Sequence, residues 1–552
     1  MDIVNCASAI NATGNNLVNY LRGETGYDQR STTLNNRVFR KRQATLGDLI
    51  HSTPTFYAGP ELDYVDPGYQ TYKNAAAQVN RPKTVFVGAN DGMLHAFNAD
   101  DMEELWAYVP TMVIPNMWKL ADSNYSAKHS YYVDGDIVVA DICTNSCGSA
   151  SATWKTILVA GLAGGGRGYF ALDVTVPSAP ILLWEFDPKN PGLKGDPNLG
   201  YSYGNPIVTK RNIDNKWIVA FSSGYNNIPD NSAFYALPST NFKPNNPAIY
   251  TSGNGGGYLY VLDAFTGDRL DAIPTLNTSS ANVGDTTTPS GLGRISANIN
   301  DGELNNVTTY IYGGDLLGNL WRFNLDTSQA LNFAQLVVGA TAQPITTAPE
   351  IASVDNKDVI YVGTGKYLEL ADLTNPNQQT IYAIKDDNAT ATLVNPRASL
   401  VAQTIIPDPT DANSRMSGPA NAATPFQGNR GWYVDLPDSR ERLNIDPKIE
   451  LGTLLMPTTV PEESACQPAG YGWFNYLDYE TGLSVANAAA NSVSQRLTAP
   501  SAGFNVFSIN GNPVVSNSGV NDPNPKIVGG VPFNAIGAGF QLKRSIWREI
   551  IE

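Results

Sequence analysis

Residues 301–309 read DGELNNVTT and place oxygen-bearing side chains at alternate positions: Asp301, Glu303 and Asn305, with Thr309 four residues further on. Val307 falls in the gap and can offer only its backbone carbonyl. Oxygens at alternate positions of a tight loop are how a hard cation gathers its six to eight ligands. The same spacing suits an ordinary polar hairpin turn whose carboxylates face water. Which of the two it is depends on the elements that carry the loop.

Other stretches that could do chemistry are less complete. GLAGGGRG at 161–168 lacks the G-x-G-x-x-G spacing and the following helix of a dinucleotide loop, and reads as strand-turn glycine. GTGKY at 363–367 lacks the phosphate-loop spacing, and Lys366 is followed by Tyr rather than Ser or Thr. VDGD at 133–136 reads as a turn, with metal ligation as its alternative. His51, His95 and His129 stand in different strand or loop contexts, so no Ser/His/Asp set can be assembled. The cysteines are Cys6, Cys143, Cys147 and Cys466, with no CxxC, which argues against a Cys/His zinc site. CTNSC at 143–147 can close a small disulfide loop or hold two buried thiols.

The elements around these residues are strands. The 552 residues include 49 Gly and 36 Pro, only 16% are charged, and 27 Tyr outnumber 18 Phe. Short apolar runs bounded by Gly, Asn, Asp and Pro recur, while long amphipathic helical periodicity does not, which is the all-β signal. A net charge of −15 with a pI near 4.7 argues against nucleic acid as a partner, because that needs a basic stripe. No apolar run of about 18 residues occurs, so no membrane span is expected. The opening MDIVNCASAINATGNN lacks a basic n-region and an apolar core, so it is not read as a signal peptide; if the protein is exported, this chain is expected to be a fragment of a longer one.

One signature returns along the chain: Gly, then alternating apolar residues, then Asp or Asn. It appears at Gly92–Asn98, Gly168–Asp173, Gly257–Asp263, Gly318–Asn324 and Gly472–Asp478, with weaker copies at Thr380–Asp386 and Gly431–Leu436. Most copies follow an apolar strand ending in Gly, and several precede a Trp or a TG pair, as in EELWAY, LLWEF, AFTGD and YETG. The closing aspartates read as turn caps. Such meanders bury both faces only when stacked radially, so the seven copies predict a β-propeller rather than a set of sandwiches. Stretches 237–257 and 395–431 have loop composition. Residues 1–45 form a separate segment, with a short helix in ASAINATGNNLVNYLRGE and a basic linker, and 46–552 form the propeller. The strand at 52–59 is expected to meet the C-terminal region and close the ring.

LGDLIHSTPTFYAG, VFVGANDGMLHAFNADDMEELWAYVP, YYVDGDIVVAD, GGGRGYFALDV, YIYGGDLLGNLWRFNL and IYVGTGKYLE, taken in order, resemble the C-terminal domain of the PilY/PilC proteins, and the resemblance covers nearly all of the chain. It implies a modified seven-bladed β-propeller with long loop insertions. It further implies an exported, non-enzymatic type IV pilus biogenesis factor and tip adhesin. Such a factor promotes pilus assembly, counteracts retraction and supports attachment and twitching, alongside minor pilins at the pilus tip, the cell surface or the outer membrane. The family often carries a calcium loop before its Tyr-rich strand, which places one calcium ion on Asp301, Glu303, Asn305, the Val307 carbonyl and Thr309. Glu303 and Thr309 depart from that pattern and weaken the expected affinity. The short spacing and the exported context together lead to an expected Cys143–Cys147 disulfide, and Cys6–Cys466 would pair only if the propeller ends meet. The alternatives are a pyrroloquinoline-quinone dehydrogenase, which usually carries adjacent cysteines absent here, and a receptor- or carbohydrate-binding propeller.

Overall fold

Neighbouring residues of one strand go to different cores. In the strand Trp217–Ser222, Ile218 and Ala220 pack with Leu259, Ile311 and Trp321, while Val219 and Phe221 pack with Val159, Tyr169 and Trp184. Both faces of the strand are therefore buried, each against a different neighbouring meander, as radial stacking of meanders requires. The same split holds in Thr153–Gly161, whose Leu158 and Ala160 face one core and Ile157 and Val159 the next.

The computed structural model describes residues 11–189, 192, 194–230, 250–388, 390–419, 421, 424–462, 470–509, 512–520 and 525–533. Strands β1 (Thr55–Tyr57), β2 (Thr84–Ala89), β3 (Met93–Asn98) and β4 (Glu104–Tyr108) make an antiparallel four-stranded sheet, and β5 (Ile137–Asn145), β6 (Thr153–Gly161), β7 (Tyr169–Asp173) and β8 (Ile181–Phe186) make another. The meander repeats in β9 (Ile207–Arg211), β10 (Trp217–Ser222), β11 (Tyr258–Asp263) and β12 (Arg269–Pro274). It repeats again in β13 (Ile295–Asn300), β14 (Val307–Gly314), β15 (Asn319–Asn324) and β16 (Gln329–Gln335). Parallel pairing of β9 with β14, Val307 beside Lys210 and Thr308 beside Arg211, sutures these two meanders into one nine-stranded sheet that also takes in Leu393–Val394. Sheets of five, seven and three strands follow, the last from Ser501–Ile509, Asn512–Gly519 and Lys526–Val528. The architecture is all-β and propeller-like.

All seven copies of the sequence signature are strands, but they are not seven separate sheets. Thr380–Asp386 and Gly431–Asp435 pair with each other in the five-stranded sheet. The three-stranded sheet carries no copy. Part of 395–431 is also strand rather than loop, since Val401–Gln403 pairs with Gly431–Asp435 and Ser414–Ser417 with Ser492–Leu497.

The Trp and TG signals prove to be one device. Trp184 of β8 donates its indole N–H to the Ala264 carbonyl at 3.1 Å, and Trp432 donates to the Tyr479 carbonyl at 3.1 Å. Each acceptor lies in the turn of the next sheet, beside Gly267 and Gly482, where an added Cβ would sit 2.3 Å from Trp184 and 2.6 Å from Trp432. Both glycines also hold positive φ, 74° and 69°. The aspartates before these turns cap them: Asp263 accepts from the Phe265 and Thr266 N–H groups, and Asp478 from those of Glu480 and Thr481.

The helix Gly14–Leu21 is capped by Thr13, and its Tyr20 is buried with Val38, Phe39 and Ala121. Residues 11–42 thus lie against the 3-10 helix Ile114–Ala121, where the Arg40 Nε donates to the Leu120 carbonyl. Strand β1 pairs with β2, and Thr55 donates its hydroxyl to the Ile137 carbonyl of β5. Residues 534–552, most of the C-terminal stretch 531–552 expected to meet the strand at 52–59, lie outside the described residues, as do Cys6 and Cys466. Cys143 and Cys147 form a disulfide with Cα atoms 5.6 Å apart.

Candidate functional site

The loop 301–306 joins β13 to β14 directly beside the β9–β14 suture. Asp301 and Asn306 both take positive φ, 48° and 50°, which Asp and Asn tolerate better than most residues. The Asp301 carbonyl accepts the N–H groups of Asn305 at 2.9 Å and Asn306 at 3.0 Å, so peptide groups close the turn. Asn306 is buried. Its Nδ2 donates to the Tyr64 hydroxyl at 2.9 Å, and its carbonyl accepts from the Lys210 N–H and the Thr209 hydroxyl, each at 2.9 Å.

A strap from the first sheet seals the loop. Residues 60–74 leave β1 and run past it, with the Asp63 and Val65 N–H groups donating to the Glu303 and Leu304 carbonyls at 3.1 and 3.0 Å. Tyr64 anchors the strap by packing on Tyr69, Trp154 and Trp217, and burial pushes its phenol pKa well up. Trp154 fixes the strap again by donating to the Pro67 carbonyl.

At the centre stands a cation that no window around the loop contains. The Lys210 Nζ lies 2.7 and 2.8 Å from the two Asp66 oxygens and 3.2 Å from the Asn305 Oδ1. Its side chain is 4% exposed, and the ammonium lies 5.6 Å from the Trp217 ring centroid.

Of the five residues expected to hold calcium, three lie in the loop and two in the following strand. Asp301 and Glu303 are exposed at the loop surface, and the Asp301 Oδ1 accepts the Leu304 N–H at 3.3 Å. Asn305 gives its side-chain oxygen to Lys210. Asn306 and Thr308 direct their carbonyls toward β9, so strand alternation turns the Val307 carbonyl the other way, toward β13. Thr309 lines a small cleft with Asn212, Asn298, Asn300, Val307 and Tyr310, and neither Asp301, Glu303 nor Asn305 takes part in it. A calcium ion needs six to eight converging oxygens. In this arrangement one ligand is taken by an ammonium and two face elsewhere, so the residues do not fit the ion. Among the described residues, no group of three or more His, Cys, Asp or Glu side chains could hold a metal.

Each histidine is paired with a carboxylate. His95 sits between Glu104 at 2.5 Å and Asp91 at 3.1 Å. His51 pairs with Asp134 and His129 with Asp48, and the Tyr131 ring lies between those two imidazoles, at 5.8 and 5.2 Å. Sequence separation concealed that proximity.

Fold and site together define a propeller-like all-β scaffold whose polar loop is clamped from within. The family model described as the PilY1 beta-propeller domain matches residues 46–335, and the chain belongs to that family. A type IV pilus biogenesis factor PilY1 homolog of Xylella fastidiosa is 31% identical over 513 residues, covering 85% of this chain and 31% of that protein. The type IV pilus biogenesis factor PilY1 of Pseudomonas aeruginosa PAO1 is 30% identical over 532 residues, covering 85% of this chain and 41% of that protein. The chain thus spans about a third to two fifths of these relatives. The crystal structure of the Pseudomonas aeruginosa PilY1 C-terminal domain superposes with a TM-score of 0.60 at 26% identity, covering 82% of this chain and 94% of that one. No helix among the described residues is long and apolar enough to cross a membrane.

Proposed function

We propose that this chain is the propeller part of an exported type IV pilus biogenesis factor. It promotes pilus assembly, counteracts retraction, and supports surface attachment and twitching while working with minor pilins near the pilus tip. The observation that carries this reading is the match of residues 46–335 to the PilY1 beta-propeller domain, together with relatives named as pilus biogenesis factors. The propeller is read as seven-bladed. In support, successive sheets share separate apolar cores, and the three-stranded sheet supplies the unit that the sequence signature misses. The role is read as non-enzymatic, supported by relatives that are named as pilus biogenesis factors. Calcium has no part in this proposal.

The test is genetic. Deleting the coding region should abolish surface pili and twitching, and removing the retraction motor as well should restore pili. Pili that persist in the single deletion, or fail to return in the double, would sink the reading.

A further inference from the structure

We propose that Lys210 is the resident cation of the 301–306 loop, and that this protein holds the loop closed with its own ammonium group, independently of calcium. An ammonium has three N–H donors and no acceptor. Here all three are matched, by the two oxygens of Asp66 and by the Asn305 Oδ1. The group is nearly excluded from water, and the Asp66 side chain is 19% exposed, so the pair is screened only weakly by salt. A free ion entering this shell would have to displace a buried positive charge or sit beside it.

The cation is also fixed in place by its own backbone. The Lys210 N–H donates to the Asn306 carbonyl, and Val307 pairs with Lys210 across the suture. The residue that supplies the charge is therefore laced to the loop it neutralises. The ammonium reaches beyond the loop to the strap and sits on the β9 edge. Lys210 thus links three parts, the loop through Asn305, the strap through Asp66 and β9 through its own strand. A chelator cannot remove it, so the loop has no calcium-dependent open state.

This inference rests on the loop contacts and not on the pilus role, so a test on purified chain separates the two. Thermal unfolding of the wild-type chain should give the same midpoint in millimolar calcium and in chelator. Calorimetric titration should show no saturable calcium binding that Asp301→Ala abolishes. Lys210→Met should melt several degrees lower, and adding Asp66→Asn to it should cost little more, because the partners act as one unit. If Lys210→Met does not fold, Lys210→Arg keeps the charge and should remain indifferent to calcium. A calcium-dependent rise in the wild-type midpoint that Asp301→Ala removes, or a Lys210→Met protein that melts like wild type, overturns the proposal.

Discussion

His95 shows how single residues here are balanced by opposing forces. Burial lowers its pKa, while Asp91 and Glu104, both hydrogen-bonded to the ring, raise it, and the carboxylates prevail. A histidine whose folded pKa lies above its ordinary 6.5 stabilises most below that pH and loses the contribution as pH rises through the folded value. His95→Gln should therefore flatten the fall in melting temperature between about pH 6.5 and 8 relative to wild type. A variant whose pH profile runs parallel to wild type would show that the acids do not act through this ring. Tyr64 is the residue-scale counterpart at the loop. Tyr64→Phe removes the hydroxyl that accepts from the Asn306 Nδ2, leaving a longer contact of 3.5 Å to the Val208 carbonyl. Chemical denaturation should register a loss of about 1–2 kcal/mol, the usual cost of an underserved buried amide.

Strands and turns carry the fold through the tryptophan docking. Trp184→Phe removes the indole donor to Ala264 and the surface on which Gly267 rests, and should cost about 2–4 kcal/mol in urea unfolding. Gly267→Ala should cost a similar amount from the other side, because its φ of 74° and the closeness of Trp184 both resist a methyl. If the two single variants unfold like wild type, the docking is ornamental. This device was visible in the sequence as AFTGD and YETG alongside LLWEF, since glycine at a strained, crowded turn leaves a local mark. The strands after each Gly were equally legible, because alternation is a short-range property. The three-stranded sheet was not: SAGFNVFSI and NPVVSNSG begin without the signature and keep several residues half-exposed. The candidate site was legible only as a loop. Lys210 stands 95 positions before Asn305, and no local spacing relates an ammonium in one meander to an amide in the next.

The whole molecule is tied together by a guanidinium that reaches carboxylates of other sheets. Arg294, just before β13, reaches Asp136, just before β5, and Asp446, between the strands Arg442–Leu443 and Lys448–Glu450, each at 2.7 Å. Asp446 also accepts the Ala348 N–H. Parts of three different sheets thus share one guanidinium. Burial raises the Asp446 pKa and Arg294 draws it back, so removing the cation exposes that cost. Arg294→Met should lower the urea midpoint by the equivalent of about 2–3 kcal/mol, less than for a fully buried pair because these side chains keep some contact with water. No change in midpoint would mean the brace is incidental. The strap has a consequence of another kind, for the order of events in folding. Tyr64 finds its partner Asn306 at a separation of 242 residues. Contacts that span so much chain close late and slow the search for the native state. During vectorial synthesis or passage across a membrane, the strap emerges long before the turn that latches it. The first sheet must then wait, unlatched, until the fourth meander has been delivered.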